Sequence, residues 1–140
     1  MTVKQISAFV QSKPGHLLNV LDAFEEANVS VRGFCASDTG DYGVVRFIVD
    51  DPERVIAVLK EKGAAATVSD VLVVKLHEAP GELARMWRIF AEVGVNVSYS
   101  YSLISNCIVL KVDDVEETKR LLATSPVELV SQAMLKTEGN

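Results

Sequence analysis

Near its start the chain alternates polar and apolar residues through Gln5-Ile6-Ser7-Ala8-Phe9-Val10, the two-residue period of a half-buried strand. The period then changes. Leu17, Val20, Leu21 and Phe24 recur at three- and four-residue spacing, which predicts a helix with one apolar face and with Asp22, Glu25 and Glu26 turned to solvent. Asn28 is placed to stop that helix, and residues 29–36 and 44–49 read as two strands joined by a Gly- and Asp-rich hairpin over 38–43. Asp51-Pro52-Glu53 opens a second helix, a polar cap followed by proline at the first helical position. Val55, Val58 and Leu59 give it an apolar face, Gly63 ends it, and residues 66–68 form a fourth strand. The order is β-α-β-β-α-β.

The same order begins again at residues 71–76. Pro80 stands 66 residues after Pro14, and at that offset Gly15 meets Gly81, Leu17 meets Leu83, Phe24 meets Phe90 and Val29 meets Val95. The offset falls to 63 by the time Val49-Asp50-Asp51 meets Val112-Asp113-Asp114, so the second copy is three residues shorter. The place for the deletion is the hairpin, which predicts a tighter turn near Ser105-Asn106. The second copy's helices carry Leu83, Met86, Trp87, Ile89 and Phe90, then Leu121 and Leu122, and its last strand is expected at 129–135. Trp87 reads most simply as core or interface.

Each copy is thus expected to be an α+β, ferredoxin-like sandwich, a four-stranded antiparallel sheet with two helices on one face. Residues 1–69 and 70–140 are the two expected domains. Units this small bury a marginal core alone. The two sheets are therefore expected to pack side by side, with further association into a homodimer, and the sheet face away from the helices must be covered or polar.

Composition narrows the function. With 49% hydrophobic residues and a mean hydropathy of +0.22, the 140 residues suffice for a packed core. A net charge of -5 and a pI near 5.0 oppose phosphate backbones and anionic lipid, and residues 44–49 are aliphatic apart from Arg46 and Phe47, so nucleic acid and membrane are not expected partners. No leader pattern opens the chain and no apolar run reaches the roughly 20 residues of a membrane span, which predicts a cytoplasmic protein. Cys35 and Cys107 lie far apart without metal-ligand spacing and read as buried free thiols. His16 and His77 occupy non-equivalent repeat positions, and neither a nucleophile elbow nor a phosphate-cradling glycine loop is present. Catalysis, cofactors and metals are not expected.

What remains is the repeated Pro-Gly-x-Leu at each strand-to-helix junction, Pro14-Gly15-His16-Leu17 and Pro80-Gly81-Glu82-Leu83. A helix N-terminus offers unpaired N–H groups and partial positive charge to a carboxylate, while glycine permits close approach. This turn, the helix after it, and Gly94-Val95-Asn96-Val97 at the next strand resemble the ACT domain, the small-molecule-sensing module of amino-acid metabolism. The second copy is similar to the regulatory domain of 3-phosphoglycerate dehydrogenase. The resemblance covers both copies and implies a stand-alone tandem ACT protein that binds a free amino acid at a domain or subunit interface. It implies ligand loops at Gly15, His16 and Leu17 and at Gly81, Glu82 and Leu83, with Asn96 at the ligand-holding asparagine. Ser30 stands at that position in the first copy, implying a pocket that binds differently. The competing expectation is a regulatory subunit that docks a separate amino-acid biosynthetic enzyme.

Overall fold

A computed structural model describes residues 2–11, 13–38 and 42–137, without the side chains of Asp38, Tyr42 and Thr137. The centre of the expected first hairpin, residues 39–41, and Ser12 before the first Pro-Gly turn lie outside the described residues. The chain divides into two compact units. The first holds Lys4–Ser69 with the segment from Ala133; the second holds Asp70–Gln132 with the segment up to Val3.

In the first unit β1 (Val3–Gln11) leads to α1 (His16–Glu26), then β2 (Val31–Asp38), β3 (Tyr42–Val49), α2 (Pro52–Glu61) and the start of β4 (Ala66–Lys75). The sheet order is β2-β3-β1-β4. β1 and β3 are antiparallel, with Ile6 opposite Phe47 and Val10 opposite Gly43. Phe24 of α1 meets Phe47 of β3 edge to face, ring centroids 5.1 Å apart. With Ile6, Val55 and Leu59 they form the core between sheet and helices. The predicted spacing therefore names the buried face correctly, and Asp22, Glu25 and Glu26 are exposed.

The second unit repeats the plan with the rest of β4, α3 (Glu82–Glu92), β5 (Val97–Ser102), β6 (Cys107–Val112), α4 (Val115–Leu121) and β7 (Glu128–Leu129). Here β4 lies between β7 and β6, with β5 beyond β6. Leu72, Met86, Phe90, Leu110 and Leu122 fill its core. Thr118 stands where the first unit has Val55 and is equally buried. Its hydroxyl donates to the Asp114 carbonyl at 2.8 Å, so the polar atom is satisfied within its own helix. On the faces away from the helices Gln5, Ile48, Val71 and Val73 are inaccessible, while Phe9 is 46% exposed.

The helix stops repeat as well as the cores do. Asn28 and Gly94, 66 residues apart, both have positive φ (60° and 75°), and the next amide in each case returns to the helix, Val29 N–H to Phe24 O at 2.9 Å and Val95 N–H to Phe90 O at 3.0 Å.

Four expectations are corrected. The strand expected at 129–135 ends at Leu129; after it Gln132–Thr137 forms a short helix, α5. Gln132-Ala133-Met134-Leu135-Lys136 is composed of good helix formers, and that local preference wins. The strands expected at 66–68 and 71–76 are one strand, β4, with Ser69 and Asp70 inside it rather than in a connection. Trp87, expected in the core or at an interface, is not in the core: it is 37% exposed, its ring 6.4 Å from that of Phe90. Cys107 is buried but Cys35 is only half-buried, and both are free thiols. No helix among the described residues is long and apolar enough to cross a membrane.

Candidate functional site

The two Pro-Gly turns converge on one backbone geometry. Gly15 and Gly81 cap α1 and α3 in the left-handed region, each at φ 86°. A Cβ added to either would meet no atom within 4 Å, so glycine is required by its conformation and not by crowding. Neither helix has a side-chain cap. Helices α2 and α4 do: Asp51 accepts from the Arg54 amide at 3.3 Å, and Asp114 from the Glu117 amide at 3.0 Å. Helix entrances with and without a side-chain cap are thus sorted identically in both units; at the glycine entrances the first helical amide bonds within the turn, His16 N–H to Lys13 O and Glu82 N–H to Ala79 O, both at 3.3 Å, and no side chain caps the amides after it.

Side chains at the two entrances differ. Leu17 packs against the first core, whereas Leu83 is 50% exposed. His16 is half-buried and lines a cavity of about 690 Å³ with Asn19, Glu26 and Lys62, between α1 and the end of α2. Glu82 is held by Arg85 at 3.0 Å, and Arg85 also donates to the Pro126 carbonyl.

A separate cavity of about 360 Å³ lies between the first turn and its hairpin, bounded by Lys13, Pro14, Leu17, Ser37 and Gly43. At the corresponding place in the second unit the shorter hairpin ties down the strand end. Asn106 Nδ2 donates to the Leu76 carbonyl at 2.6 Å, Leu76 N–H donates to the Asn106 carbonyl at 2.8 Å, and Leu103 is buried. The three-residue difference read from the sequence falls here, since Ala36 opposite Val45 corresponds to Ser102 opposite Ile108.

Ser30 and Asn96 lie at the other ends of these helices, just before β2 and β5, and both are exposed. Eleven residues of helix separate them from Gly15 and Gly81, roughly 16 Å at 1.5 Å per residue. Within one unit, therefore, the loop residues and the Ser30 or Asn96 position are not brought together.

Around Ser30 the structure adds residues that the sequence reading missed. The Ser30 amide donates to Asp50 Oδ1 at 2.9 Å. A cavity of about 400 Å³ opens there, lined by Glu25, Asn28, Ser30, Arg32 and Asp50 over an apolar floor that includes Phe24. Arg32, one of its lining residues, stands at a bulge of β2 between Val31 and Gly33. The second unit has the same irregularity between Val97 and Tyr99, at Ser98. No sequence signal marks a bulge of this kind; only the 66-residue offset pairs Arg32 with Ser98. Among the described residues no group of His, Cys, Asp and Glu is placed to hold a metal ion.

Residues 1–138 match the family described as the ACT domain pair. The chain belongs to that family. Its two units are tandem ACT domains of the ferredoxin-like βαββαβ form. No curated protein sequence matches the chain. Among solved structures, the ACT pair is similar to protein BT0572 from Bacteroides thetaiotaomicron, with 27% identity over 97% of this chain and 96% of that one and a TM-score of 0.90. It shares its fold with the regulatory subunit of aspartate kinase from Thermus thermophilus in a ligand-free form, at 19% identity over 87% of this chain and 89% of that one, TM-score 0.64. The regulatory subunit of aspartate kinase from Thermus flavus is also similar in fold, at 20% identity over 88% and 90%, TM-score 0.56.

Proposed function

We propose that this ACT pair is a cytoplasmic regulatory protein rather than an enzyme. It binds a free amino acid at an interface between ACT domains or between subunits of a homodimer, and occupancy is coupled to assembly or to a partner's activity. The observation that carries this reading is the pair of uncapped glycine entrances at α1 and α3, set against capped α2 and α4. Such entrances suit a carboxylate, and the Ser30 and Asn96 positions at the far helix ends call for a second domain to complete each site. The proposed contacts are Gly15, His16 and Leu17 or Gly81, Glu82 and Leu83 from one domain, with Ser30 or Asn96 from another. Binding across an interface links ligand to association by mass action.

A second reading is a subunit that docks a separate amino-acid biosynthetic enzyme. It is favoured by Leu83 and Trp87, one helical turn apart on α3 and 50% and 37% exposed.

The test is a melting-temperature survey of protein refolded from denaturant, which removes carried ligand, against each standard amino acid at millimolar concentration. A ligand confined to the native state stabilises it by about 2.7 kcal/mol at a hundredfold excess over its Kd. A rise confined to one or a few related amino acids supports the sensor; no rise with any of them moves the assignment to the docking subunit.

A further inference from the structure

The outward faces of α1 and α3 carry opposite charge at matched positions. At the 66-residue offset Asp22 corresponds to Arg88 and Glu25 to Ala91, while Glu26 and Glu92 agree. These side chains are exposed in both units. Among the described residues Asp22, Glu25 and Arg88 have no ion-pair partner. Residues 16–26 contain no Lys or Arg, so the carboxylates of α1 have no cation on their own helix. On α3, Arg85 is held by Glu82 and Arg88 is left. The two faces also differ in relief. Leu18 stands exposed on α1 where α3 has the small Ala84, and on α3 Leu83 and Trp87, at i and i+4, form one exposed apolar patch beside Arg88.

We infer that α3 of one chain packs against α1 of a second copy of this chain, with Arg88 facing Asp22 and Glu25 of the second copy and Leu18 of that copy seated over Ala84 and Ala91. Large side chains set against small ones are what lets two helices approach. Charge selects this pairing over the others. Helix α1 on its own copy brings carboxylates together with no cation between them, and α3 on its own copy leaves those carboxylates unanswered. Each chain carries one face of each kind, so two copies related by a two-fold axis make the contact twice. The doubling matters, because one helix-on-helix contact is small beside the roughly 1,200–2,000 Å² of a stable interface. The inference rests on the homodimer of the proposed function and adds to it the faces that meet. It gives Leu83 and Trp87 to self-association rather than to a separate enzyme.

The experiment uses the full chain. Sedimentation equilibrium gives the dimer Kd, and Trp87, the sole tryptophan, reports on the face by its emission. Wild type should dimerise, and the emission should move to shorter wavelength as concentration rises through the Kd, because Trp87 leaves water. Arg88→Asp and Asp22→Arg should each weaken the dimer about tenfold or more, since each sets like charges together. With both changes in one chain the Kd should return to near the wild-type value, because the pair is restored with its signs exchanged. Both positions are exposed, so the variants keep the fold, which circular dichroism checks. A dimer that forms without a change in Trp87 emission overturns the assignment of the face. So does a Kd unmoved by Arg88→Asp, or a double variant no tighter than the single ones; the homodimer itself survives each of these results. Wild type that stays monomeric at every concentration overturns both.

Discussion

Gly15 and Gly81 occupy the same left-handed turn, and Arg32 and Ser98 the same strand bulge, yet only the first pair is identical in sequence. The core and caps behave like the glycines: Phe24 matches Phe90 and Asp51 matches Asp114. The cavity behaves like the bulge, with Glu25 against Ala91 and Ser30 against Asn96. Positions whose role is set by backbone conformation or packing admit few residues, because a wrong choice is penalised in the fold itself. A side chain facing an open cavity carries no such penalty. The two ACT domains could therefore diverge in what they bind without diverging in how they fold.

Substitutions at matched positions put that comparison under strain. The largest effect is expected in the cores, where Phe24 and Phe90 are each 1% exposed. Phe24→Ala and Phe90→Ala should each cost about 3–5 kcal/mol in urea unfolding of the unit concerned. A cost below about 1 kcal/mol for one of them alone would break the equivalence of the cores. Smaller effects are expected at the turns. Gly15→Ala and Gly81→Ala add a Cβ to a left-handed residue with open space around it, so each should cost about 1–2 kcal/mol by conformational strain, and by similar amounts. Unequal costs would mean that one turn relaxes and the other does not, and would locate a real difference between the two entrances.

Much of this was legible from residue order. The 3.6-residue spacing of Leu17, Val20, Leu21 and Phe24 placed α1, the Asp51-Pro52 start placed α2, and the change of offset from 66 to 63 placed the shorter hairpin. The C-terminal segment was not legible. Leu129 and Val130 look like a strand and Met134 and Leu135 extend the apolar run, but the intervening Gln132 and Ala133 favour helix. Ser69 and Asp70 look like a break, yet both lie inside β4. At the site, Pro-Gly announced both glycine turns. Arg32 could not be seen, because a bulge moves one residue out of the two-residue alternation and no composition rule signals where it falls.

The measurement that bears most directly on these two domains is the binding stoichiometry. Ligand-free protein titrated calorimetrically with the amino acid that stabilises it most should show saturable binding at no more than two sites per chain, one for each glycine entrance. No binding of any amino acid would contradict the account.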